Sequence, residues 1–144
     1  MESTMKIYLA APYQKKELMK ERAAELRAAG IIVTSTWLEE PHKPTIQLEE
    51  LTPAQHREYA VRDVKDVISA DILVFQGDET RTILRAGRTA EFGMIVGANA
   101  VRSKQVPIYV VGIGDENIFH HLSCVTHFST WESLRDFLIA LAAA

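Results

Sequence analysis

The stretch Gly87-Arg88-Thr89-Ala90-Glu91-Phe92-Gly93 sets a carboxylate in the expected first turn of a helix that follows a strand and a polar loop. There the positive field of the helix N-terminus favours the ionised form and is expected to hold its pKa low. An ionised carboxylate beside the backbone amides of a glycine loop, with Gly87 in that loop, suits nucleophilic attack or stabilisation of a cationic sugar transition state. The competing reading is a glutamate that only complements the helix dipole. Two more residues favour chemistry. Tyr8 falls in the middle of a strand where a buried parallel strand usually carries aliphatic side chains. Its hydroxyl needs a polar partner if buried, and a carboxylate at the top of the sheet would serve. Asp63 lies about 100° from the centre of a helix's apolar stripe, beside Val67 and off the fully solvated face.

The elements that must position these residues alternate strand and helix. Lys6 to Ala11 is a short apolar run closed by Pro12 and predicts a buried strand. Good helix formers run from Lys15 to Ala29, with Gly30 at the place of a C-terminal cap. The β-branched run Ile31 to Trp37 predicts a second strand, and the Pro-containing segment 38–51 a loop. Thr52-Pro53-Ala54-Gln55 reads as a capping box with proline at the first helical position. That helix should reach about Ala70, with Ala60, Val61, Val64, Val67 and Ile68 as its apolar stripe. Strands are expected at Ile72–Phe75, Val106–Val111 and, briefly, around His127–Phe128. Helices are expected from about Thr89 to Asn99 and, after a capping box at Ser129–Glu132, to about Leu141. This order predicts a doubly wound α/β fold: a mostly parallel sheet of about five strands with helices on both faces. Ligands of such sheets bind at the carboxyl ends of the strands, here the loops 11–14, 38–51, 76–88 and 112–121.

Composition narrows the partners. The chain has 144 residues, 16 Lys plus Arg against 19 Asp plus Glu, and a formal charge of −3. Hydrophobic residues make up 47%, so a folded chain with one core over residues 1–144 is expected, not a disordered one. A mildly acidic balance without a run of like charge argues against binding polymeric nucleic acid. One cysteine, Cys124, precludes an internal disulfide. No apolar run nears the roughly 18 residues of a membrane span, and a cytoplasmic protein is expected. His120, His121, Cys124 and His127 cluster in sequence, but zinc sites usually pair two such motifs and no second one exists, so no metal is expected.

Taken together, Lys6-Ile7-Tyr8-Leu9-Ala10-Ala11-Pro12, Asp63-x6-Ala70-Asp71, Gly87-x3-Glu91-x-Gly93, Pro107 to Gly112 and Asn117-Ile118-Phe119-His120 resemble the nucleoside 2-deoxyribosyltransferase superfamily. That superfamily includes the 2'-deoxynucleoside 5'-phosphate N-hydrolases and the pyrimidine nucleotide N-hydrolases. The resemblance covers nearly the whole chain in order. It implies that Glu91 is the nucleophile at the sugar C1' carbon, that Tyr8 orients it, and that Asp63 contacts the base and assists its departure. It implies no cofactor, a small nucleoside or nucleotide as partner, and a homodimer or higher homo-oligomer in which Asn117 or His120 completes a neighbour's site.

One position departs from the pattern. Transferases of the superfamily carry an aspartate about six residues before the nucleophile and the hydrolases often a serine; this chain has Arg85, flanked by Arg81 and Arg88. An arginine fork is a natural phosphate clamp, and Lys15 and Lys16 at a helix start would add to an anion site. Hydrolysis of a nucleoside 5'-monophosphate or nucleoside is therefore expected, with base exchange as the alternative and a non-catalytic nucleotide-binding module as a further one. A phosphoribohydrolase of the cytokinin-activating type is disfavoured, because its glycine-rich P-G-G-x-G-T-x-x-E motif is missing from 85–89.

Overall fold

The computed structural model describes residues 4–41, 50–77, 87–112 and 118–144. Five strands, β1 (Lys6–Ala10), β2 (Ile32–Val33), β3 (Ile72–Gln76), β4 (Ile108–Val111) and β5 (Val125–Phe128), form one parallel sheet in the order β2-β1-β3-β4-β5. Four α-helices accompany it: α1 (Lys16–Ala28), α2 (Pro53–Ile68), α3 (Gly87–Val101) and α4 (Trp131–Ala143). Arg135 of α4 pairs with Glu25 of α1 at 2.8 Å, which puts these helices on one face, while α2 packs against α3 on the other. The fold is doubly wound, with its strand order reversing between β1 and β3. Tyr8 pairs in register with Leu73 at that switch point, where such sheets place ligands. Among the described residues, no helix is long and apolar enough to cross a membrane.

Local chemistry explains the element ends. Gly30 takes φ 83°, and the amides of Gly30 and Ile31 bond back to Arg27 and Leu26, a Schellman closure of α1. Thr52 and Gln55 form the reciprocal capping box of α2, at 3.1 and 2.8 Å. Helix α4 is capped by Thr130, whose hydroxyl accepts from the Ser133 amide at 3.2 Å, one residue later than the expected box.

Two expectations are corrected. The predicted strand Ile31–Trp37 shrinks to Ile32–Val33, followed by a 3-10 turn at Thr36–Glu39. Hydroxyls divert the chain there: Ser35 Oγ accepts the Leu9 amide at 2.6 Å, and Thr36 bonds the Asp66 carboxylate through its amide and its hydroxyl. The ladder beside β1 is thus continued by a side chain. The apolar stripe of α2 also faces the other way. Only Val67 is buried, whereas Val61 is 64% exposed and Val64 and Ile68 are exposed with it. The inward side of α2 carries Arg62, Asp63 and Asp66, all partly buried.

Candidate active site

Tyr8 is fully buried on β1, and its hydroxyl donates to Glu91 Oε2 on α3. Burial, then the charges of Glu91 and Asp63, push the tyrosine well above its ordinary pKa, so it remains a donor. Because α3 begins at Gly87, Glu91 is the fifth helical residue, beyond the first turn. The expectation of a low pKa for Glu91 is overturned. Burial pushes its carboxyl up to about 8, the Tyr8 hydrogen bond pulls it down, and Asp63 and Asp66 add to the rise. The helix field fades within one turn, and desolvation wins.

Asp63 faces the same space from α2. Burial raises it to about 6; Arg62 lowers it by hydrogen bond and charge, while Glu40 and Asp66 raise it. One guanidinium nitrogen of Arg62, Nη2, donates both to Glu40 Oε1 and to Asp63 Oδ1, the latter at 3.2 Å. The Arg62 guanidinium also lies 5.0 Å from the ring centre of Tyr59. Glu40 is held at both ends, its carbonyl accepting from Lys16 and its carboxylate from Arg62. Asp66 works on the backbone side, fastening α2 to the turn after β2 through Thr36, while the Asp66 carbonyl accepts from Thr34 at 3.0 Å.

Three residues singled out in the sequence, Tyr8, Asp63 and Glu91, therefore meet at the switch point. The others are placed differently. Gly87 opens α3, exposed and with open space around it. Arg88 is buried; its Nη1 donates to the Gln76 carbonyl and its guanidinium lies 5.1 Å from the centre of the Phe75 ring. It turns back onto the sheet rather than outward as a clamp. Lys16, expected at an anion site, is likewise buried with its ammonium on the Glu40 carbonyl and 3.3 Å from the Tyr13 hydroxyl. His120 is fully buried, stacked on Phe92 at 4.6 Å and edge-on to Phe75 at 5.0 Å, a place in the core beneath α3. Arg81, Arg85 and Asn117 lie outside the described residues. Among the described residues no group of three or more His, Cys, Asp or Glu could hold a metal ion.

Sequence reasoning missed Glu40, Arg62 and Asp66. The adjacency of Arg62 and Asp63 was the available signal; nothing local marks Glu40, which reaches the site only because the chain folds back after β2.

Searches against family models and against curated proteins return no match. Solved structures do match. The CMP N-glycosidase BcmB of Clostridium botulinum superposes with a TM-score of 0.58 at 14% identity, over 92% of this chain and 97% of that one. The 2-deoxyribosyltransferase of Bacillus psychrosaccharolyticus superposes with a TM-score of 0.61 at 16% identity, over 91% and 90%. Similarity at this level shows a shared fold, held over almost the full length of each chain.

Proposed function

We propose that this chain cleaves the N-glycosidic bond of a nucleoside 5'-monophosphate or nucleoside, with Glu91 as nucleophile and Asp63 as proton donor. The observation that carries this reading is the hydrogen bond from buried Tyr8 to Glu91, made beside Asp63 at the switch point of a fold that a CMP N-glycosidase and a 2-deoxyribosyltransferase share. The Tyr8 hydroxyl fixes one carboxylate oxygen and leaves the other for the sugar. Glu91 attacks C1', the C1'–N bond breaks, and Asp63 gives its proton to the departing base. Water then cleaves the glycosyl ester, with Asp63, now ionised, taking the proton from it. A second base in place of water would give exchange, a transfer of the sugar in keeping with the neighbour described as a 2-deoxyribosyltransferase, and the same residues serve both outcomes. Arg81 and Arg85 favour a phosphorylated substrate by composition. Needing no group beyond the chain's own carboxyls, the chemistry requires no cofactor.

Proton placement decides when the site works. Between about 6 and about 8 the Asp63–Glu91 pair holds one proton, mostly on Glu91, the more strongly raised carboxyl; the reactive arrangement has it on Asp63 and is the minority form of the pair. The Tyr8 donor raises the share of that arrangement by stabilising ionised Glu91, without outweighing burial. Developing positive charge on the sugar, next to Glu91, favours it further. A bell-shaped rate profile follows, with limbs that belong to the pair rather than to either residue.

We also read the chain as a homodimer. Val61 and Val64 on the outer face of α2, with Val101 86% exposed on α3, leave apolar surface that a second copy would cover.

The deciding experiment incubates the protein with a panel of nucleosides and 5'-monophosphates, cytidine monophosphate included, and measures free base and any exchanged nucleoside. Free base without exchange supports hydrolysis. Intact-mass detection of a glycosyl adduct that Glu91→Gln abolishes supports the covalent route. Full turnover by Glu91→Gln would overturn the mechanism.

A further inference from the structure

The three groups around Asp63 are not arranged as a simple ion pair. Arg62 Nη2 is shared: it serves Glu40 by a close contact and Asp63 at 3.2 Å. Glu40 is the better-anchored acceptor. Its side chain is 9% exposed against 29% for Asp63, and its carbonyl is pinned by Lys16. The guanidinium is further fixed by the Tyr59 ring below it, and its Nε is buried without a hydrogen bond among the described residues. The cation is therefore oriented for Glu40, and Asp63 receives the weaker arm of a three-centre contact. Had Arg62 faced Asp63 alone in a two-pronged pair, that carboxyl would be held ionised and unfit to give a proton away.

We propose that Glu40 and Arg62 form a positioning pair for Asp63, in which Glu40 draws the guanidinium aside and leaves the Asp63 carboxyl fixed in place yet able to carry a proton. The inference rests on the reading of Asp63 as the proton donor. Neither member of the pair touches the reacting atoms in this scheme; both act through Asp63. Among the described residues, the other charged or titratable groups that face Asp63 are Asp66 from its own helix, Glu91 from α3 and Tyr8 from β1, and none of these bridges to Arg62.

Opposite responses from the two members test this. Removing the guanidinium in Arg62→Gln takes away a cation, so the Asp63 titration should move to higher pH. Glu40→Gln frees the same guanidinium to close on Asp63 and removes a like charge, so the titration should move to lower pH. Each displacement should be at least about half a pH unit, typical of one charge a few ångströms away. The measurement is carboxyl-carbon NMR of Asp63 in the ligand-free protein, assigned by its loss in Asp63→Asn. Thermal melts show which variants are folded. Should Arg62→Gln fail to fold, Arg62→Lys keeps the charge without the fork and is expected to leave the Asp63 titration near wild type while Glu40→Gln still lowers it. Shifts of the two variants in one direction, or no shift on Glu40→Gln, would overturn the inference, and so would a Glu40→Gln shift that persists undiminished in an Arg62→Gln background, because the like charge of Glu40 alone would produce it. In turnover assays the acid limb of the rate profile should follow the same signs. The parent reading fails separately: if Asp63→Asn releases base at the wild-type rate, Asp63 is not the donor, whatever the titrations show.

Discussion

Replacing Glu91 by glutamine should stabilise the folded protein, and only at higher pH. Burial holds the Glu91 carboxyl at about 8 in the folded chain, against an ordinary glutamate value of about 4.3 in the unfolded one. Below the unfolded value both states carry the proton, and the raised pKa contributes its full stability. As pH climbs toward 8 the unfolded chain binds fewer protons than the folded one, so stability falls with rising pH across that window. At about 1.36 kcal/mol per pH unit the penalty at pH 8.5 is capped near ~5 kcal/mol. Glu91 is not wholly sealed from water, and screening should leave about half of that. Glutamine never ionises and its carbonyl still accepts from Tyr8. Glu91→Gln should therefore match wild type near pH 4 and exceed it by about 2–3 kcal/mol at pH 8.5, or about 5–10 °C in Tm for a chain of this size. Chemical denaturation and thermal melts of both proteins at pH 4, 6, 7 and 8.5 provide the test. An equal difference at all four values, or none at pH 8.5, would refute the claim that Glu91 is a desolvated carboxyl. No substrate enters this test, so it stands apart from the activity.

Tyr8→Phe deletes the donor that favours ionised Glu91, a charge-assisted bond of about 1.5–3 kcal/mol. Turnover at pH 7 should fall about 10- to 100-fold, and the deficit relative to wild type should narrow only above about pH 8, where the wild-type upper limb falls first, measured as base release; a deficit unchanged above that limb would contradict the assigned role. The wild-type rate profile should be bell-shaped between limbs near 6 and 8, and a monotonic profile would argue against a shared proton. Ser35→Ala leaves the buried Leu9 amide without its partner and should cost about 1–3 kcal/mol in denaturant titration, with the fold retained by circular dichroism. Val61→Asp with Val64→Asp should halve the mass seen in sedimentation; an unchanged monomeric mass in wild type would dispose of the dimer.

The alternation of elements was legible because apolar runs and caps act locally. Gly30, Thr52 and Gln55 do in the structure what their types suggest. Positions governed by long-range contacts were not legible. Ser35 and Thr36 look like strand residues until their hydroxyls find Leu9 and Asp66 across the fold. Asp63 was singled out for lying near an inward apolar stripe, yet the stripe faces outward and the helix turns its polar side to the sheet. Its inward position was reached from a premise that the burial pattern reverses. The electrostatics of Glu91 followed the same course, because a dipole is readable from one helix whereas desolvation depends on everything packed around it. Arg88 shows the limit for charge: an arginine in a polar segment promises a ligand contact, and a strand-end carbonyl takes it first.

Gln76, the last residue of β3, has a consequence for anyone who would redesign this protein. Its side-chain oxygen accepts from Arg22 of α1, whose guanidinium rests over Trp131 of α4, and its main-chain oxygen accepts from Arg88, three residues ahead of Glu91 on α3. The two helical layers are thus surveyed to one benchmark on the middle strand. Loops grafted between β3 and α3 inherit a helix whose starting point is staked from the opposite side of the sheet. The terminal helix, remote from any reacting atom, belongs to the same survey line. A swapped or circularly permuted α4 that misplaced Trp131 would reset the benchmark, and the aim of Glu91 would drift with it.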